Sequence, residues 1–258
     1  ARSMAKLRKT AEALGVRDAW PVVAEPFIDW VLEDRFAAGR PAWPGVRHVA
    51  THDEVAAWER LKLRMVNGAH SALAYLGVVA GWPTVDAAMA QPALRRFIDA
   101  MLRDEVEPTL TGLAVPPDYR ERLLARFANP ALAHRCAQIA MDGSQKIPQR
   151  LLGSVRDRLA AGAPIGRLAL ALAAWLHFLR GRDEAGHTYA IDDPLAPMLQ
   201  ALLRDAEALP DPRSRADRLT RCEPVFGDLA GEPRLVDTLA AALDSLRERG
   251  VAATLDAA

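Results

Sequence analysis

Lysine is scarce in this sequence. Only four of its 33 basic residues are lysines, and the rest are arginines. A chain that uses arginine for almost every positive charge has kept lysine at positions 6, 9, 62 and 146. Because arginine does not deprotonate in proteins and lysine does, each retained lysine is a candidate for proton transfer.

Cysteine and long apolar runs are also in short supply. The 2 cysteines are too few for a disulfide framework, so a reducing, cytoplasmic setting is expected. The longest apolar run, residues 168–176, is closed by Arg167 and His177 and is far too short to span a bilayer. We therefore expect no membrane association.

The charge balance and the missing motifs exclude further classes of partner. Lys+Arg and Asp+Glu are both 33, so nothing in the net charge of +0 recruits nucleic acid. His48 and His52 are four residues apart, but they straddle a predicted helix start and have no third ligand nearby, so no metal is expected. There is no strand–GxGxxG–helix unit to bind a dinucleotide.

Apolar residues at helical spacing predict an all-α fold. Thr51 and Glu54 form a capping box that starts a long helix to about Tyr75, with Gly77 as its stop. Only residues 186–191 suggest a short hairpin arm. The other predicted helices cover about 26–39, 84–112, 118–127, 130–142, 148–161, 166–180, 194–208 and 234–249, with Gly39 and Gly250 as stops. We expect a single multi-helical domain over residues 1–258.

The long helix carries four polar residues on one side. On an α-helix, Glu59, Lys62, Asn67 and His70 fall within an arc of roughly 140°, among apolar neighbours. Desolvation there lowers the pKa of a lysine, which can then act as a general base. An asparagine amide can stabilise a developing alkoxide, and a histidine can bind a substrate hydroxyl. The pattern alone also allows a surface Glu59–Lys62 ion pair and a structural His70.

Lys62-x4-Asn67-x2-His70 resembles the catalytic signature of the mannitol dehydrogenase / fructuronate reductase family, the polyol-specific long-chain dehydrogenases. The resemblance extends to residues 21–34, to the block at 142–150, and to the ending at 250–255. It implies an all-helical C-terminal domain similar to that of 6-phosphogluconate dehydrogenase. It also implies an N-terminal Rossmann domain, absent from this chain, that would hold NAD or NADP.

The resemblance implies roles for individual residues. Lys62 would be the general acid/base, and Asn67 would be half of an oxyanion-binding pair. His70 would bind substrate, and Glu59 would lie on a proton path. Lys146 and Arg150, in the block at 142–150 (the second block), and Gln138, ahead of it, would be substrate-side residues. Some mannitol-type members have an arginine where Gln138 stands.

Three functions remain open on the sequence. The first is interconversion of a sugar alcohol and a ketose, as in mannitol 2-dehydrogenases. The second is reduction of fructuronate, a hexuronate whose carboxylate Arg150 or Lys146 would bind. The third is a noncatalytic helical module for dimerisation or docking, in which the face of residues 59–70 would pack against a partner.

Overall fold

A computed structural model of the chain describes residues 30–257, together with Ala13 and Gly15. Its contacts divide the chain into two compact units, Ala1–Val49 and Ala50–Ala258. No helix in the described part is long and apolar enough to cross a membrane.

The first unit contains a short parallel pair of strands, β1 (Trp30–Glu33) and β2 (Val46–Val49). A helix was expected over residues 26–39, and for its described residues that prediction is wrong. The β1 residues Trp30 and Val31 are of types that favour strands, and the ladder with β2 satisfies the backbone of the segment. Pairing of this kind is non-local, so the helical spacing of the apolar residues did not reveal it.

The second unit is helical, which confirms the all-α prediction. It begins at the predicted capping box, in which Thr51 Oγ1 accepts from the Glu54 amide and the Glu54 carboxylate accepts from the Thr51 amide. The α-helices are α1 (His52–Leu61), α2 (Gly68–Val79), α3 (Val85–Met89), α4 (Pro92–Ala100), α5 (Tyr119–Phe127), α6 (Cys136–Ile139), α7 (Gly143–Ile147), α8 (Gly153–Ala160), α9 (Gly166–Phe178), α10 (Ala196–Glu207), α11 (Pro212–Thr220), α12 (Glu223–Phe226) and α13 (Pro233–Asp256).

Short segments of other helix types join some of these helices. Three are π-helical, Lys62–Asn67, Met101–Val106 and Pro148–Leu152, and two are 3₁₀-helical, Glu107–Thr109 and Gly227–Leu229. The first π segment joins α1 to α2, and the third joins α7 to α8. The core forms where the almost fully buried α2 and α9 pack against each other and α9 packs against α13.

Several predicted boundaries move. Gly77 does not end the long helix, which continues to Val79 before the left-handed Gly81. The helix expected over 130–142 shrinks to α6, because Arg135 bridges to Thr84 as extended chain. Gly250 does interrupt the last helix, at φ 74°, but helical structure resumes to Asp256. The hairpin arm at 186–191 is reduced to a single bridge between Arg182 and Thr188.

Three helices were missed, α7, α11 and α12, although α11 carried a recognisable signal. Asp211 caps α11 by accepting from the Ser214 amide, and Pro212 stands at its first turn.

The buried carboxylate of Glu105 caps the N-terminus of α9. Its side chain is 4% exposed and accepts hydrogen bonds from the amides of Arg167 and Leu168, at 2.9 and 2.8 Å. These amides belong to the first turn of α9 and have no partner within the helix. Burial raises the pKa of Glu105, and the two amide donors oppose that rise.

We predict that the contribution of Glu105 to the free energy of unfolding depends on pH. With its pKa raised, the folded state binds more protons than the unfolded chain, so its contribution to stability falls as pH rises from about 4.5 through the folded pKa. Urea unfolding at several pH values, for the wild type and Glu105→Gln, isolates this term because all other acids are shared. The wild type should lose stability relative to the variant as pH rises; a relative gain would show that the amide donors outweigh burial.

Candidate active site

The four candidate residues of the long helix lie on one continuous helical rod formed by α1, the π segment Lys62–Asn67 and α2. In an α-helix, residues five apart differ by roughly 140° around the axis. In a π-helix the backbone hydrogen bond joins residues five apart, and here the Gly68 amide donates to the Leu63 carbonyl. Residues five apart therefore lie about one turn apart on the same side of the helix. The π segment therefore brings Lys62 and Asn67 closer in direction than the sequence predicted.

Exposure of the four side chains differs from the expectation. Glu59 and Lys62 are exposed, whereas Asn67 and His70 are half-buried. The described part of the chain therefore does not provide the shielding of Lys62 from water that the sequence had predicted. Nor is there a Glu59–Lys62 ion pair, since neither side chain bonds to another described residue. The His70 ring packs on the ring of Phe127, with 4.3 Å between the ring centroids.

The second block is a tight turn followed by α7. Asp142 adopts the left-handed conformation, with φ 55°, and Gly143 begins the helix. Lys146, half-buried on α7, donates to the carbonyls of Met141 at 2.5 Å and Ile139 at 3.4 Å, and its ammonium is 3.7 Å from the Asp142 carboxylate. Burial lowers the pKa of Lys146, as does Arg150, while Asp142 opposes the change.

Asp193 holds this block in place, and the sequence reasoning gave it no such role. Its carboxylate accepts from the Ser144 amide and hydroxyl, both at 2.7 Å, and from the Leu195 amide at 2.8 Å. The neighbouring Asp192 carbonyl accepts from the Asp142 amide at 2.9 Å. Asp192 and Asp193 directly precede the predicted helix at 194–208. Their contacts with residues 142–144, about 50 positions earlier, have no local sequence signal.

The two blocks meet at Gly68. A Cβ atom on Gly68 would lie 2.8 Å from the carbonyl oxygen of Arg150, so only glycine permits this approach. The neighbour is backbone of the π segment Pro148–Leu152. Nearby, Arg150 donates to the Ser71 hydroxyl at 3.1 Å, and burial lowers the pKa of its guanidinium.

Gln138 lies apart from these contacts. It is exposed on α6, which packs against α2. It lines a cavity of about 300 Å³ together with Arg135, Phe178 and Asp192. Among the described residues, no group of three or more His, Cys, Asp or Glu side chains could hold a metal ion.

Comparison with known proteins identifies the family. A family model described as mannitol dehydrogenase C-terminal domain matches residues 54–247. The chain belongs to the mannitol dehydrogenase family. This confirms the resemblance seen in the sequence motifs.

Similar curated proteins are about twice as long as this chain. A mannitol 2-dehydrogenase of Phaeosphaeria nodorum is 41% identical over 251 residues, which cover 95% of this chain and 42% of that protein. An uncharacterized oxidoreductase of Escherichia coli is 43% identical over 223 residues, which cover 86% of this chain and 45% of that protein. The chain therefore spans less than half the length of these two relatives.

Solved structures show the same fold. The Pseudomonas fluorescens mannitol 2-dehydrogenase, in a ternary complex with NAD and D-mannitol, superimposes with a TM-score of 0.83 at 36% identity. That match covers 98% of this chain and 51% of the other. A substrate-free D-sorbitol dehydrogenase gives a TM-score of 0.78 at 32% identity, covering 96% of this chain and 50% of the other.

Gly143 is predicted to be essential for the second block. A Cβ there would lie 2.4 Å from Trp175 Nε1 and 2.7 Å from Tyr75 Oη, two fully buried polar atoms with no hydrogen-bond partner among the described residues. We expect Gly143→Ala to lower the free energy of unfolding by about 1–3 kcal/mol, the usual cost of overpacking.

Gly166→Ala is the matched control, because Gly166 has helical φ and its Cβ would meet nothing within 4 Å. It should be neutral or stabilising by up to about 1 kcal/mol. Urea unfolding of both variants measures the contrast, and equal stabilities would refute the close packing described for Gly143.

Proposed function

We propose that this chain is the C-terminal substrate and catalytic domain of an NAD(P)-dependent dehydrogenase that interconverts a sugar alcohol and a ketose. The observation that carries the proposal is the π segment Lys62–Asn67, which turns Lys62 and Asn67 to one side of a rod packed against the second block. Family membership and relatives named mannitol 2-dehydrogenase support the reaction class.

In this proposal Lys62 moves the proton. Oxidation of a secondary alcohol releases a hydroxyl proton and a hydride. The Lys62 amine accepts the proton, and NAD or NADP held by the second domain would supply the hydride acceptor. In the reverse direction the Lys62 ammonium returns it to the carbonyl oxygen. The side-chain amide of Asn67, which has no partner among the described residues, donates a hydrogen bond to that oxygen as negative charge develops. Glu59, about one turn before Lys62, passes the proton to solvent.

The exposure of Lys62 defines what a second domain must contribute. General-base catalysis by a lysine near neutral pH requires an amine that is shielded from water. We infer that a coenzyme-carrying domain covers the Lys62 side of the rod and excludes water there. This agrees with the relatives, in which more than half of the length lies outside the match.

The described residues do not themselves fit a dinucleotide. Their only sheet is the two-stranded β1–β2 pair, and no strand–glycine-rich turn–helix unit follows from it. We therefore assign NAD or NADP to the second domain, which would also select between the two. A reducing, cytoplasmic location belongs to the same proposal, since both cysteines are buried free thiols.

His70, Lys146, Arg150 and Gln138 are proposed substrate-side residues. Of these, Lys146 and Arg150 are already engaged by protein partners, the Met141 carbonyl and the Ser71 hydroxyl. This favours an uncharged polyol over a hexuronate, because a carboxylate would have to compete for those donors. The solved neighbour that contains D-mannitol points the same way. Relative rates on mannitol, arabinitol and fructuronate would decide the substrate.

Substitution of Lys62 tests the mechanism in the complete enzyme, meaning this chain with its coenzyme domain. Lys62→Ala and Lys62→Arg should both lower kcat for the polyol by on the order of 10²- to 10⁴-fold, since neither side chain can accept the proton. Coenzyme binding, followed by fluorescence titration, should be unchanged.

Arg60→Lys provides the control two residues away. It preserves charge on a half-buried arginine with no bond to another described residue, so it should leave kcat within about twofold of the wild type. Near-normal turnover by Lys62→Arg would rule out a proton-transfer role for Lys62.

A further inference from the structure

One cavity in the described part of the chain has no role in the proposed reaction. Its volume is about 620 Å³, within the usual range for small-molecule sites. It lies where α10, α11 and α13 surround the end of α9. None of its lining residues belongs to the Glu59, Lys62, Asn67, His70, Gln138, Lys146 and Arg150 set.

The cavity is strongly basic in a chain whose formal net charge is +0. Two acidic residues, Glu207 and Asp244, also line it, against an excess of arginines. His177 adds no charge near neutral pH, because burial and the neighbouring Arg180 lower its pKa to about 4. The arginines that line the cavity are Arg180, Arg182, Arg204, Arg215 and Arg247, which leaves a local excess of three positive charges.

Much of this charge is not neutralised by protein partners. Arg182 and Arg204 are exposed, and their side chains make no hydrogen bond or ion pair with a described residue. Arg215 donates only to the carbonyls of Leu209 and Pro210. Arg180 pairs with Glu207 at 3.0 Å, yet its buried Nε has no partner among the described residues.

The remaining wall is apolar. Five leucines line the cavity beside the arginines: Leu176, Leu179, Leu203, Leu219 and Leu243. A ligand that satisfies both surfaces carries a multiply charged anionic group on a carbon-rich body. Guanidinium groups bind phosphate oxygens in bidentate fashion, and a phosphate monoester brings two negative charges to the three in excess.

We propose that this cavity binds a phosphorylated small molecule. The anionic group lies against Arg182 and Arg204, and the carbon skeleton lies on the leucine wall. The site is independent of the polyol reaction, so it offers a place for a ligand that is neither substrate nor coenzyme.

Calorimetric titration of the purified chain tests the proposal with phenyl phosphate, inorganic phosphate and benzoate as probes. Phenyl phosphate should bind with a Kd below about 1 mM. Inorganic phosphate lacks the body and benzoate lacks the second charge, so each should bind at least about tenfold more weakly. Benzoate binding as tightly as phenyl phosphate would overturn the phosphate assignment.

Two double variants locate the binding. Arg182→Ala with Arg204→Ala should weaken phenyl phosphate by on the order of tenfold or more, with unchanged thermal unfolding because neither side chain has a described partner. Arg96→Ala with Arg122→Ala removes the same charge from exposed surface pairs with Asp256 and Asp118, and it should have no effect. Equal losses in both double variants, or no binding of phenyl phosphate to the wild type, would overturn the proposal.

Discussion

The candidate site depends on one close approach between two backbone segments. Gly68, directly after the π segment that carries Lys62 and Asn67, lies against the carbonyl oxygen of Arg150 with no room for a Cβ. This contact sets the distance between the rod and the second block. Gly143 likewise leaves no room for a Cβ beside the side chains of Trp175 and Tyr75. A Cβ on Gly77 would lie 2.8 Å from Cys136 Sγ. Helix packing around α2 therefore rests on glycines that cost some helix propensity and allow close approach of neighbouring backbone, at Gly68, or side chains, at Gly77 and Gly143.

Carboxylates that accept hydrogen bonds from backbone amides fix the starts of other helical segments. Asp193 holds the start of α7, Glu105 the start of α9, and Glu184 accepts from the Val251 amide at the break in α13. Each joins residues far apart in sequence and satisfies amides that a helix start leaves without partners. For the second block, Asp193 positions α7, on which the proposed substrate residue Lys146 lies.

Local patterns in the sequence predicted much of this fold. The Thr51–Glu54 capping box, the apolar spacing of α9 and the break at Gly250 depend on neighbouring residues, so the sequence displays them. The strands Trp30–Glu33 and Val46–Val49 and the extended chain at Arg135 depend on distant partners. Helical spacing wrongly predicted helix at the first strand and at Arg135, and it did not reveal the second strand. The π geometry of Lys62–Asn67 has no sequence signature, yet it decides which side of the rod Asn67 faces. The choice of Lys62, Asn67 and His70 as candidates came from their residue types and motif, and their roles remain proposals.

The most direct measurement of the central claim is kcat/KM for the polyol in Gly68→Ala of the complete enzyme. An added Cβ would be 2.8 Å from the Arg150 carbonyl oxygen, so the rod and the second block must separate. A displacement of this kind should lower kcat/KM by on the order of 10²-fold, with coenzyme binding intact and Gly166→Ala behaving as wild type. A folded Gly68→Ala enzyme with unchanged kcat/KM would contradict the account, because the site would then not depend on that approach.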